Sequence, residues 1–581
     1  MPVKAGDGRT LMKIATRPNI SPWICRAVAV AAAAVMLLRL GLTIPQFTNA
    51  WDEPFNIAAA VGIYDMKKHV MNTEHPPVVP LVAGLWLHLS GVHLPPQFRS
   101  TAVVSGQTAV SAYCGFAFDG ALPYREMLLR ARLAMLLFPA LSLLYLYLLA
   151  AWISNEGVAM WSVLFFSTDA TLLGHGIWVG TDGAACAGFL IAIYYGIRWV
   201  VHRQPRQAVW AGIALGFAVG CKFSNLFVLP SLGLIMAIRP LSVVASNVPH
   251  KWRTYWRRWP SIGQMTIVAV VAAITIWAIY LFNIDRVGRQ TVFPPDHWAK
   301  VPAPLREAVI PMPSFFLGIA KQASHTTGGH EAYLNGQVSM RGWWYYYPEA
   351  LAIKSPTALL IGLFIAVAAI AVSVNRGIWR VVVLAIPPAV YLLAAIRGHI
   401  DIGVRLILPA IPFLYLIICM QMAGARRWMA TTLAVLVAFS FVETLSVHPN
   451  YLGFFNVLVG GPGNGARYLG DSNIDWGQDL GQLAQWLKSE PQRNRPYTLD
   501  LFCNPDPELV RYLGLDESAI VLAPGTERSG LLAVSVKGLQ AGPEDQWLHQ
   551  YPLVKHIGKS IDVFDLGPTK VPIPVHRRVR L

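Results

Sequence analysis

A mainly α-helical, polytopic membrane bundle is the fold class this sequence predicts, and three observations predict it. Of 581 residues, 55% are hydrophobic and only 13% charged, about half the charged share of an ordinary soluble domain. Apolar runs approaching the roughly 20 residues that cross a bilayer recur along the chain. Basic residues collect in short segments between alternate runs, the pattern of loops held on one side of a membrane.

The first run extends from Trp23 to Ile44. Later ones centre on residues 133–152, 158–166, 184–197, 208–220, 225–238, 267–282, 358–374, 381–396, 406–420 and 430–442. Length therefore predicts about 11 spans. Lys4, Arg9, Lys13, Arg17 and Arg26, then Arg203 and Arg206, then Lys251, Arg253, Arg257 and Arg258, then Arg376, Arg380, Arg426 and Arg427 fall on one side. The excess of basic residues makes that side, and the amino end, cytoplasmic. The same distribution accounts for the net charge of +16, because the charge sits in inter-span loops and no compact basic domain exists to hold nucleic acid. The amino-terminal run is longer than a secretory signal and reads as an uncleaved anchor.

Three soluble parts remain on the outer side: loops 47–126 and 283–353, and a tail from His448 to Leu581. In the tail, alternation marks strands at 498–503, 519–523, 530–536 and 560–566, with helices at 479–488 and 507–513. The expected division is a membrane catalytic domain, 1–447, followed by a small outer α/β domain, 448–581. No fixed-period repeat is present. The six cysteines lack metal-ligand spacing, and only Cys114 and Cys503 face the oxidising side, where pairing is open to them.

Polar residues carry the functional signal. Asp52, Glu53 and His75 fall in the first outer loop, and His175 and Asp182 between the third and fourth spans. Lys222 lies at the turn after the fifth, Lys354 at the outer end of the eighth, and His399, Asp401 and Arg405 between the ninth and tenth. Each has a plainer reading. Asp52 suits the N-cap of a helix over 55–68, with Glu53 favoured by its dipole, and His75-Pro76-Pro77 suits a rigid turn ending that helix. Lys222, Lys354 and Arg405 suit interfacial anchors, the GGPGNG from Gly460 a turn, Asp471 and Asp475 helix caps, and the aromatics from Trp343 to Tyr347 an interfacial belt. The plain readings leave the shared side unexplained, whereas a reaction centre at the outer interface explains it.

The ordered set of an acid pair after the first span, HPP, a GH...TD segment, KFS, YYPEALAIKSP and HPNYLGFFN...GGPGNG...DSNIDWGQDL resembles the GT-C membrane glycosyltransferases. It is most similar to family 39, the protein O-mannosyltransferases, aminoarabinose transferases of lipid A and their bacterial relatives. The resemblance implies a helix bundle with two amphipathic helices in the first outer loop and a sugar donor on a polyprenyl phosphate. It implies Asp52 as catalytic base with Glu53 beside it, and Asp182 as the second acidic position. It implies Arg130 or Arg132, together with Lys222, Lys354 and Arg405, for the lipid-linked phosphate, with His75 and His175 close by. It also implies a bacterial inner-membrane enzyme acting outward on a glycan, lipid or protein acceptor. The chain lacks the three soluble repeats of eukaryotic protein mannosyltransferases and the WWD signature of oligosaccharyltransferases.

These residue types suit that chemistry. A carboxylate removes the proton of an attacking hydroxyl, and cations in a poorly hydrated site stabilise the departing phosphate. No cofactor is demanded; a divalent ion on Glu74, His75 and His175 is the one metal expectation, unsupported by spacing. A transporter of a lipid-linked or small anionic substrate is the alternative function, since intramembrane charges and broken spans also suit it.

Overall fold

The structure is a computed structural model describing residues 20–99, 106–245, 260–290, 298, 301–372, 378–423, 427–502, 506–521, 527–540 and 543–572. Each of the eleven apolar runs holds a helix over most of its described residues; residue 136 is a turn, and the 267–282 run leaves its helix at Ile279. Fewer than eleven are long enough to cross. Among the described residues, seven helices reach the necessary length and composition, at 22–46, 124–153, 181–202, 262–279, 378–397, 404–422 and 427–445. Helices Tyr346–Lys354 and Thr357–Val372 make an eighth if the pair, bent by 113°, is one span.

The expected count of about 11 is not reached because the helices over the short runs 158–166 and 208–220 end with those runs. Helix Glu156–Phe166 has 11 residues and stops before Asp169, whose Oδ1 accepts the Leu172 N–H (2.8 Å) and starts a new short helix. Helix Pro205–Cys221 has 17 residues and ends where Lys222 turns to an extended backbone. Side-chain capping of a new start and an extended residue both end a helix whatever the hydropathy beyond them.

Helix Thr181–His202 is the centre of the bundle. Its membrane-length window is 89% buried, against 11% for Ile262–Ile279 at the rim. Small residues allow the neighbours in, as expected where helices associate without an aqueous driving force. A Cβ on Gly188 would lie 2.9 Å from Ala218 Cα on the next helix.

After α1 (Pro22–Thr43), the loop 47–126 folds into α2 (Glu53–Met66) and α3 (Val78–Leu89). The two cross at backbone contact: a Cβ on Gly84 would fall 2.1 Å from the Ala60 carbonyl oxygen. α3 buries Leu87 but leaves Leu85, Trp86 and Leu89 exposed, the one-sided apolar face of an interfacial helix. His75-Pro76-Pro77 leads into α3 and does not end α2, which stops at Met66 because Lys67 adopts a left-handed conformation (φ 54°).

The tail holds a four-stranded sheet ordered Tyr497–Asp500, Leu531–Ser535, Ile561–Asp565, Leu553–Ile557. The first pair is parallel and the others antiparallel, with Leu499 opposite Ala533 and Ala533 opposite Val563. Three of the four expected strands form. Over its described residues, 519–521, the fourth contributes an isolated bridge, Ile520 to Leu499, and Leu553–Ile557 was not expected because four of its five residues are exposed, leaving no alternation to read. Helices Leu480–Leu487 and Pro507–Tyr512 form as expected. Their apolar faces share one core with Val79, Leu87 and Tyr113 of the first outer loop. Cys114 is a free thiol donating to Asp506 Oδ2 (3.0 Å), and Cys503 lies outside the described residues.

Candidate active site

Asp52 immediately precedes α2, yet its side chain makes no capping bond. The backbone explains where it goes instead. Trp51 donates its N–H to the Trp476 carbonyl (2.9 Å) and Thr48 to that of Gln478 (3.2 Å), which pins residues 48–51 alongside 476–478. Held there, Asp52 Oδ2 accepts from Arg405 Nη1 at 3.2 Å. The same Nη1 lies 3.1 Å from Asp182 Oδ2, and Lys222 Nζ donates to Asp182 Oδ1 at 2.5 Å. Four residues far apart in the chain thus form one chain of charge.

Each charge comes from a helix terminus. Asp182 occupies the first turn of Thr181–His202, where the helix dipole favours an anion. Lys222 is the residue after Pro205–Cys221, where a cation is favoured. Arg405 stands at the start of the 404–422 span. Its Nε donates to Ser472 Oγ (2.9 Å) and its guanidinium lies 4.3 Å over the Trp476 ring. Nη2 of Arg405 and Oδ1 of Asp52 make no hydrogen bond among the described residues, which leaves one donor and one acceptor in this cluster unused.

Asp52 retains 33% of its side-chain surface, against 4% for Asp182. Loss of hydration raises the Asp52 pKa above the ordinary carboxylate range; Arg405 opposes the rise and Asp182 adds to it. Water at the open third of the side chain moderates that rise. His75 is pushed down to about 4 by burial, with Lys222 adding to the effect, and His175 to about 3, also by burial. Both rings are neutral at pH 7. His175 packs edge-on against Trp476, with ring centroids 5.7 Å apart.

Three expected phosphate ligands are placed elsewhere. Arg132 is fully buried in a bidentate pair with Glu53, Nη2 to Oε2 at 2.6 Å and Nε to Oε1 at 2.9 Å. It also donates to the carbonyls of Ile44, Phe47 and Thr48. Glu53 accepts further from the N–H groups of Ala50 (2.8 Å) and Val179 (3.0 Å). Glu53 and Arg132 therefore clamp the chain around Asp52 and are closed to a ligand. Arg130 pairs with Glu126 one turn away. Lys354 is buried, with Nζ donating to the carbonyls of Leu452 (2.8 Å) and Asn473 (2.6 Å), so it ties the end of its helix to the tail.

The metal expectation does not gather. Glu74 Oε1 faces Lys321 Nζ at 3.6 Å, and Glu74, His75 and His175 form no convergent ligand set among the described residues. Asp471 pairs with Lys537 (2.6 Å) and Asp475 Oδ1 accepts from Gly477 N–H (3.1 Å), so neither caps the following helix Leu480–Leu487. The aromatic run is split: Tyr346 and Tyr347 are fully buried while Trp344 is 72% exposed. Asp401 Oδ2 accepts the Trp343 N–H (2.7 Å) and His399 faces the Arg341 carbonyl (2.9 Å), both serving the loop 283–353. A cavity of about 1050 Å³ lies beside the end of α1, bounded by Thr48, Arg125, His448, Gln482 and Lys559. None of the four linked charges lines it, so charge and geometry place the site and volume does not.

Sequence reasoning missed Ser472 and Trp476, the residues that orient Arg405. Both lie in the DSNIDWGQDL stretch, whose crowding of short polar residues was read as helix capping.

No family model matches the chain, and no curated protein does. Among solved structures, the chain is similar to ArnT from Cupriavidus metallidurans bound to undecaprenyl phosphate, at 13% identity and a TM-score of 0.44, over 92% of this chain and 97% of that one. It is similar to the oligosaccharyltransferase of Archaeoglobus fulgidus at 12% identity and 0.41, over 95% and 76%. It is similar to the S. cerevisiae protein O-mannosyltransferase Pmt1-Pmt2 complex bound to the sugar donor at 16% and 0.32, over 47% and 35%.

Proposed function

We propose that this membrane protein transfers a sugar from a polyprenyl-phosphate donor to an acceptor hydroxyl, at the outer face of a bacterial inner membrane. The observation that carries the reading is Arg405 Nη1 shared between Asp52 at 3.2 Å and Asp182 at 3.1 Å, with Lys222 on Asp182. It joins a part-exposed carboxylate to two cations at helix ends, where a lipid-linked phosphate sits at headgroup depth. The family resemblance carried by the sequence motifs supports the same reading.

In the proposed reaction, Asp52 Oδ1 takes the proton from the acceptor hydroxyl as its oxygen attacks the anomeric carbon from the face opposite the phosphate. The bond from that carbon to the phosphate oxygen breaks through an oxocarbenium-like state, inverting the centre. The departing phosphate gains negative charge, which the free Nη2 of Arg405 and the remaining Lys222 N–H donors stabilise. Asp182 holds both cations in place and Glu53 with Arg132 fixes the loop that carries Asp52. The proposed division is a catalytic part, 1–447, and an outer part, 448–581, whose Ser472 and Trp476 contact Arg405.

The decisive experiment measures sugar release from a panel of radiolabelled polyprenyl-phosphate sugars by the purified protein in lipid. Transfer from one donor supports the reading, and none from any donor refutes it. The bend of 113° at Ser355-Pro356 is the observation that favours a transporter of lipid-linked anions; movement of such a substrate that survives Asp52→Asn, without sugar release, is that reading's signature.

Two further results are expected. Lys222→Ala raises the donor KM roughly tenfold or more, the scale on which one charge-assisted contact acts, with expression unchanged; an unaltered donor KM returns Lys222 to a structural role. Asp182→Asn removes a negative charge that raises the Asp52 pKa, so the acid limb of kcat/KM moves to lower pH. An unmoved limb detaches it from Asp52.

A further inference from the structure

The crossing of α2 and α3 brings together three metal-ligand side chains that the proposed reaction does not use. Asp65 lies in the last turn of α2, His88 in the last turn of α3 and His93 in the loop beyond. Asp65 Oδ1 is 2.8 Å from His93 Nδ1 and 3.8 Å from His88 Nδ1. The three ligand atoms all lie within 4.8 Å of one another. Ligands bonded at 2.0–2.1 Å to a tetrahedral zinc ion stand about 3.3 Å apart, between those two separations.

The surroundings fix the three groups. Asp65 Oδ2 accepts the Leu94 N–H (2.7 Å) and has the Arg99 guanidinium at 3.9 Å, which leaves Oδ1 to face the rings. Arg99 Nε donates to the Leu94 carbonyl (2.8 Å), so its charge stays on the Oδ2 side. The His88 ring stacks on Tyr64 (5.4 Å) and meets His93 edge-on (5.1 Å). A simple histidine–carboxylate pair accounts for His93. It does not account for His88 Nδ1, which is buried and has no hydrogen-bond partner, an arrangement that costs free energy unless a ligand is bound.

We propose that Asp65, His88 and His93 hold one divalent transition-metal ion of the zinc class, tying the end of α2 to the end of α3. Two imidazoles and one carboxylate select such an ion over magnesium or calcium, which prefer oxygen alone. Partial exposure of His88 and His93 (35% and 43% of the side chain) leaves the fourth position to water. The ion acts on the shape of the outer loop that follows Asp52, and its binding does not depend on the proposed transfer reaction.

The full-length protein in lipid nanodiscs, stripped with a chelator and titrated with zinc chloride alone, tests this by elemental analysis and thermal melting. One ion per chain with a raised melting temperature is expected. So is a visible cobalt(II) spectrum of tetrahedral form. His93→Gln and His88→Gln should each weaken zinc binding by more than roughly tenfold, the loss that even outer partners of a metal ligand cause. Glu74→Gln should leave binding intact. Zinc absent from the wild type, or bound equally by His93→Gln, overturns the proposal. If His88→Gln fails to fold because its ring supports Tyr64, the exposed His93→Gln decides alone.

Discussion

Asp52→Asn lowers sugar transfer by about 10²- to 10⁴-fold, the share of rate that a positioned general base supplies, and leaves the protein folded. Folding is spared because the Asp52 carboxylate makes one hydrogen bond, to an Arg405 that Asp182 and Ser472 also hold. Asparagine keeps the shape and an acceptor oxygen for that bond, but loses the basicity. The pH profile supplies an independent check. As the proposed base, Asp52 acts only when deprotonated, and burial raises its pKa, so the expected wild-type kcat/KM falls as pH drops through a value above the ordinary carboxylate pKa of about 3.9. That limb vanishes from the residual rate of Asp52→Asn. Turnover close to wild type in the variant removes Asp52 as the base.

Arg132→Met is the substitution with the largest expected cost in stability. It strands the Glu53 carboxylate, 1% exposed, with two backbone N–H groups and no counter-charge. It also releases the Ile44, Phe47 and Thr48 carbonyls. Breaking one side of a buried ion pair costs about 3–5 kcal/mol, so a marked fall in melting temperature and in recovered monodisperse protein is expected. The double variant Glu53→Gln/Arg132→Met removes the stranded charge and recovers part of the loss, a non-additivity that direct partners show. Were Arg132 instead a donor ligand, Arg132→Met would raise the donor KM and melt as the wild type does. Melting measured beside donor KM separates the two.

The consequences of these substitutions follow from facts of different reach. The helical membrane bundle was legible in the chain because hydropathy over about 20 residues is a local property. α1, the central helix Thr181–His202 and the membrane-length helix Arg427–Leu445 are found where the apolar runs lie. The span count was less legible, since runs as short as 158–166 and 208–220 form helices, bounded by Asp169 and Lys222, that do not cross alone. Leu553–Ile557 escaped notice because an exposed edge strand carries no alternation.

The list of site residues was legible only as a set of charges on one face. Asp52 and Glu53 are neighbours in sequence, yet one side chain reaches Arg405, 353 positions away, and the other Arg132, 79 positions away. Consecutive residues at the start of a helix point about 100° apart, so adjacent acids face different neighbours. Which neighbours they meet depends on how the ends of Thr181–His202 and the 404–422 span pack against residues 48–51. Composition and spacing therefore established the membrane, the helices and the stock of acids and bases. Long-range packing alone paired Asp52 with Arg405 and Asp182, closed Arg132 against Glu53, and set Asp65 against two histidines, because charge partners are chosen by proximity in space and by desolvation.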